Sequence, residues 1–155
     1  MTGSERAADN RRLAMRMTVH RTLDVWTRIA ATLDLNLIEM IVFNGVWTAN
    51  TEHLNNSKAR YARLRDLPPD RQRRPIGLAS LAERLRLPEQ LCRETVERLV
   101  DCGLAEQVSS GVIVPSAVFT QERMLQALTD GFEHVRDLGI GLSELRSSAP
   151  TTTAA

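Results

Sequence analysis

Gln90 and Arg93 are the side chains whose type and spacing best suit sequence-dependent recognition chemistry. Three positions apart on a helix they share a face. From there an amide and a guanidinium can each make paired hydrogen bonds to a purine edge, worth about 1–3 kcal/mol of discrimination apiece. Glu89, Glu94 and Glu97 fall on the same polar side. A carboxylate repels phosphate, yet it can accept from the cytosine amino group when an arginine compensates, as Arg84 and Arg98 are placed to do. No reaction centre competes with this pair. His20, His53 and His134 are scattered, and Cys92 and Cys102 lie ten apart with no metal-ligand spacing and no evident disulfide. HExxH, a nucleophile elbow and a glycine-rich strand-to-helix loop are all missing, so the chain reads as a non-enzyme with no cofactor and no metal.

Such side chains need a rigid element beneath them. Leu78, Leu81, Ala82 and Leu85 recur at three- and four-residue intervals, which predicts a short helix beginning near Leu78 with Ser80 in its first turn. Pro88 forces Leu87 out of helical geometry and favours a new helix start. From there Leu91, Cys92, Val96, Leu99 and Val100 form a buried stripe opposite the polar side, with both cysteines expected to pack as small apolar residues. Gly103 closes the helix and lets Leu104 fold back. Residues Leu104 to Val108 and Val112 to Val114 then predict a hairpin around Ser110-Gly111, ended by Pro115.

In this order residues 76–115 resemble the winged helix-turn-helix transcriptional regulators of the MarR and IclR kind. Leu81-Ala82-Glu83-Arg84-Leu85, Leu87-Pro88, Arg93, Val96, Leu99-Val100, Gly103-Leu104 and the hairpin to Pro115 carry the likeness, which covers about 40 of 155 positions. It implies a mainly α fold with a small β-hairpin, a winged helix-turn-helix flanked by N- and C-terminal helices. It also implies double-stranded DNA as partner, with Glu89, Gln90, Arg93, Glu94 and Glu97 toward the bases. Arg86 stands at the turn where glycine is usual, and the wing offers Ser109 and Ser110 where basic residues are common.

The net charge of +1 conceals an asymmetry: residues 58–75 carry net +5, whereas 76–104 carry −1 and 105–155 carry −3. Arg71, Arg73 and Arg74, joined by Arg84, Arg86, Arg98, Ser109 and Ser110, are the candidates for phosphate contact. The run around Leu67-Pro68-Pro69-Asp70 reads equally as a solvated basic linker. The acidity of the polar helix face keeps an alternative open, a winged-helix protein-interaction module without nucleic-acid binding.

A hydrophobic content of 43% is enough for one real core. Val19, Leu23, Trp26, Ala30 and Leu33 form an amphipathic stripe between about Arg11 and Leu33. Asn36 with Glu39 matches a capping pair for a helix to about Leu54, and Pro75-Ile76 would add a short third strand. Leu125, Leu128, Phe132 and Val135 mark a C-terminal helix capped at Thr120. The resemblance, in which terminal helices of this kind dimerise, makes Val19, Leu23, Trp26, Leu125, Leu128 and Phe132 candidates for homodimerisation, the alternative being that the terminal helices pack on each other in one chain. The resemblance allows a small-molecule effector, but Trp26, Trp47, His20 and His53 read as ordinary core or surface residues and no ligand is inferred. The expected organisation is a disordered 1–10, helices over 11–57, the basic linker 58–75, the winged segment 76–115, a helix over 116–146 and a disordered tail 147–155. With neither a secretory signal nor a membrane span, a cytoplasmic location is expected.

Overall fold

The computed structural model describes residues 3–55 and 60–147, and side chains within 10–55 and 60–145. It is mainly helical with one two-stranded antiparallel sheet, as the sequence predicts. In chain order the elements are α1 (Gly3–Leu33), α2 (Leu37–Thr51), α3 (Leu78–Leu85), α4 (Glu89–Asp101), β1 (Glu106–Val108), β2 (Gly111–Ile113) and α5 (Glu122–Ser147). Short 3-10 turns occupy Glu52–Leu54, Asp70–Gln72 and Ser116–Thr120. Ala30–Gln126 forms one compact unit, and the described parts of 1–29 and 127–155 form another.

In the larger unit α2 is the floor on which α3 and α4 both pack. Its start is held by the expected capping box: Asn36 Oδ1 accepts from the Glu39 N–H at 3.0 Å, and Glu39 Oε2 accepts from the Asn36 N–H at 2.8 Å. Met40, Val42, Phe43 and Val46 supply the buried face. At Gly45 a Cβ would stand 2.9 Å from a Leu85 methyl and 3.1 Å from one of Leu81, so a bare backbone lets α3 come close. Three helices end through a left-handed residue followed by a backward hydrogen bond. Leu35 N–H reaches Ala30 O past Asp34, Leu87 N–H reaches Ala82 O past Arg86, and Leu104 N–H reaches Leu99 O past Gly103.

The hairpin is fastened to this floor by one carboxamide. Asn50, wholly buried near the end of α2, donates from Nδ2 to Arg74 O at 2.8 Å and Val112 O at 3.1 Å. Its Oδ1 accepts from the Val114 N–H at 2.8 Å, and its backbone carbonyl accepts from the Arg74 N–H at 3.1 Å. Ile76 pairs with Val112 as an isolated antiparallel bridge, the expected third strand reduced to a single residue. Opposite it, Gly111 has a φ of +142°, and a Cβ there would meet Ile76 O at 2.5 Å. The two-residue connection is Ser109-Ser110, since Val108 pairs with Gly111, which places the turn one residue earlier than expected.

In the smaller unit, α1 and α5 run antiparallel. A Cβ on Gly131 would lie 2.9 Å from an Ile29 methyl and one on Gly141 would lie 3.0 Å from the Met17 methyl, so the terminal helices do pack on each other within one chain. Among the described residues no single helix is long and apolar enough to cross a membrane.

Several expected boundaries are corrected. Helix α1 begins at Gly3 within the supposedly disordered 1–10, because Ala7, Ala8 and the arginines after them extend an already nucleated helix at little cost. The described part of the expected linker, 60–75, is tied down: Tyr61 Oη donates to Gln72 Oε1 at 2.6 Å, Asp70–Gln72 is a 3-10 turn and Arg74 is bonded to Asn50. Thr120 does not cap α5: the helix starts at Glu122, Gln121 O accepts its first bond from the Leu125 N–H, and the Thr120 hydroxyl donates back to Ala117 O at 2.8 Å. Ser147 closes α5, while the remainder of the expected tail, 148–155, and residues 56–59 lie outside the described residues. Cys92 is buried as expected, whereas Cys102 is exposed because it falls at the helix end beyond the apolar stripe.

Asn50→Ala strands the Val114 N–H and two carbonyl partners and is expected to lower unfolding free energy by about 3 kcal/mol. Urea denaturation of the variant checks this, and a loss below about 1 kcal/mol would contradict the clamp.

Candidate nucleic-acid interface

Because α4 turns Cys92, Thr95, Val96 and Leu99 into the core, its other side is left in solvent, and there Glu89, Gln90, Arg93, Glu94 and Glu97 are all exposed. Pro88 occupies the N-cap as expected. The helix is pinned to the floor by an ion pair between Arg98 Nε and Glu39 Oε1, the Glu39 side chain being 5% exposed. Cap and ion pair thus share one buried carboxylate, each of its oxygens serving a different partner. The left-handed Arg86 (φ +54°) sets the turn between α3 and α4 and carries its guanidinium outward. The Arg86 backbone N–H donates to the Ala82 and Glu83 carbonyls, work that glycine does elsewhere without steric cost.

Electrostatics on the outer face of α4 are dominated by pairs one helical turn apart. Arg93 Nη2 donates to Glu89 Oε1 at 3.0 Å, and Gln90 Nε2 donates to Glu94 Oε1 at 2.8 Å. Glu97 adds a further carboxylate, so three acids face one guanidinium. Both base-reading candidates are consequently outward and uncovered by the chain, yet each is already engaged by a neighbour. At the hairpin tip Ser109 and Ser110 are exposed, with exposed Glu106 and Gln107 on β1.

The arginines predicted to hold phosphate separate into three kinds. Arg71, Arg74 and Arg86 are exposed. Arg84 and Arg98 reach the surface but are committed to carboxylates. Arg84 grips Glu52 through both guanidinium nitrogens at 3.1 and 2.7 Å, which holds the Glu52 carboxyl below its ordinary range and raises the Arg84 guanidinium. Arg73 is a correction: its side chain is 1% exposed and cannot reach a phosphate. Its Nε donates to Asp70 at 3.2 Å and its Nη2 to Pro68 O at 3.2 Å, and the guanidinium lies 5.4 Å from the Phe119 ring centroid. Burial pulls its pKa down and Asp70 partly restores it. Phe119 in turn lies against the half-buried Trp47, ring centroids 5.0 Å apart. Asp70 Oδ1 also accepts from the Ser116 N–H at 2.7 Å, tying the 3-10 turn to the segment after the hairpin. This Arg73, Asp70, Phe119 cluster and Asn50 were not legible from local sequence.

Of the dimer candidates, Val19, Leu23, Trp26 and Phe132 are exposed, and Leu125 and Leu128 are half-buried. His53 spends Nε2 on Gln72 O at 2.8 Å. A shallow cavity of about 60 Å³ beside Arg21, Val25, Trp26, His134 and Leu138 is far below the size of a small-molecule site. Compared with known proteins, the chain matches no family model, no curated protein and no solved structure.

Arg73→Ala removes a buried cation from Asp70, the Pro68 carbonyl and the Phe119 ring and is expected to cost roughly 2–4 kcal/mol of stability. Arg71→Ala, at an exposed site, should change stability by less than about 0.5 kcal/mol. Paired denaturation curves check the contrast, and equal small effects would return Arg73 to the surface.

Proposed function

We propose that α2 to β2 is a winged helix-turn-helix and that the chain is a sequence-specific regulator of transcription acting as a homodimer, with α4 as the element entering the major groove of double-stranded DNA. The observation that carries the reading is the placement of Gln90 and Arg93 on the exposed side of a helix whose other side is buried and whose base is clamped through Arg98 and Glu39. Arg86 at the turn, with Arg71 and Arg74 near the bridging residue Ile76, supplies the exposed cations for phosphate contact. On docking, Arg93 exchanges Glu89 for a base. An exposed pair of this spacing is worth about 0.3–0.5 kcal/mol and a bidentate base contact about 1–3 kcal/mol, so the exchange is favourable.

The acidity of α4 favours a second reading, a module on the same fold that binds another protein and no nucleic acid. The two part company in salt. A DNA-binding regulator loses affinity for its preferred duplex as salt rises, with a log–log slope of about −0.9 per neutralised phosphate.

Arg74→Ala is expected to weaken every duplex alike and to reduce that slope by about 1, while Arg93→Ala costs about 1–3 kcal/mol on the preferred sequence and flattens preference. Fluorescence anisotropy titrations across salt read both. No retention on duplex DNA even at low salt would favour the protein-binding module.

A further inference from the structure

On α4 the buried stripe of Cys92, Thr95, Val96 and Leu99 fixes which line of the helix stands furthest from the core. At 100° per residue that line falls among Gln90, Glu94, Glu97 and Asp101, exposed positions that lie within about 60° of one another. Arg93 sits about 70° to one side of it and reaches it only by the length of its side chain. A groove that receives α4 is therefore met mainly by hydrogen-bond acceptors. Among the carboxylates of the base-facing turns, Glu97 is set apart. Gln90 Nε2 donates to Glu94 and Arg93 Nη2 donates to Glu89, while Arg98, next to Glu97 in sequence, is held by Glu39. Arg93 has Glu89 one turn before it and Glu97 one turn after it, and it pairs with Glu89. Among the described residues no side chain is bonded to Glu97.

We infer that Glu97 is a specificity-determining residue that accepts from the amino group of a cytosine, and that the preferred duplex carries a guanine for Arg93 within two base pairs of that cytosine. The inference rests on the reading of α4 as the helix that enters the groove. Two bases offer an amino hydrogen there, cytosine at N4 and adenine at N6. Beside adenine N6 stands N7, whose lone pair repels a carboxylate, whereas beside cytosine N4 stands only a C–H. An acceptor-only side chain thus selects cytosine, and a carboxamide, donor and acceptor together, matches adenine. Spacing agrees. Glu97 follows Arg93 by about 6 Å along the helix and bases stack at about 3.4 Å, so the two side chains fall one or two pairs apart. Arg93, released from Glu89 on docking, is the cation that offsets the carboxylate.

The full chain is used to select from a random duplex pool, and the enriched duplex is then varied pair by pair and titrated by fluorescence anisotropy. One cytosine is expected whose replacement by any other base weakens binding at least about tenfold. At that pair Glu97→Gln should move the preference to adenine, and Glu97→Ala should leave the four bases equivalent within about threefold. N4-methylcytosine at the same pair keeps Watson–Crick pairing but turns a methyl group into the groove in place of the hydrogen. It should weaken the unaltered protein about tenfold and Glu97→Ala hardly at all. Equal gains on all four bases in both variants would mean that Glu97 acts only by repelling phosphate, and would overturn the inference while leaving α4 as the groove-entering helix. A pool from which no duplex is enriched would overturn both.

Discussion

One buried carboxamide decides whether the larger unit has a defined shape. Asn50 fills its donors and its acceptor with groups 24, 62 and 64 residues away, so α2, the segment before α3 and the hairpin are all referred to a single point. Such a network is costly when half satisfied and specific when complete. Here it leaves none of its partners to water. The hairpin is too short to be stable alone, and its register against Ile76 depends on Gly111, where any side chain would strike the Ile76 carbonyl. Fixing the hairpin fixes the end of α4, because Gly103 and Leu104 lead straight from one to the other.

Glu39 plays the same part at the opposite end of α2. Its carboxylate starts that helix through Asn36 and holds Arg98 on α4, so the orientation of the recognition candidate is set by the cap of its own floor. The surface that results is acidic, and a phosphate backbone meets repulsion from Glu89, Glu94 and Glu97 before it meets Arg93. A helix of this kind has weak sequence-independent attraction. Discrimination then rests on a few directed hydrogen bonds.

Local signals were legible where a residue acts on its own neighbours. Asn36 with Glu39, Pro88, the left-handed Arg86, Gly103 and the three-and-four stepping of Leu78 to Leu85 each predict an element end or face that the structure contains. Residues whose role depends on distant partners were not. Arg73 sits in a basic, proline-containing run and reads as solvated, but Phe119, 46 residues on, supplies the ring that covers it. Asn50 lies at the end of an apolar helix with nothing nearby to show that its partners are strand carbonyls. The candidate site was half legible for the same reason: α4 exposes the residues its periodicity predicts, while the arginines meant for phosphate are divided between solvent, carboxylates and the core.

The most direct test of the central claim, that α4 presents Gln90 and Arg93 to duplex DNA, is selection of bound fragments from a random duplex pool by the purified full chain. The account predicts enrichment of an inverted repeat whose half-sites lie about 10–10.5 base pairs apart, or a multiple of that. A pool that emerges unenriched from a folded protein would contradict it.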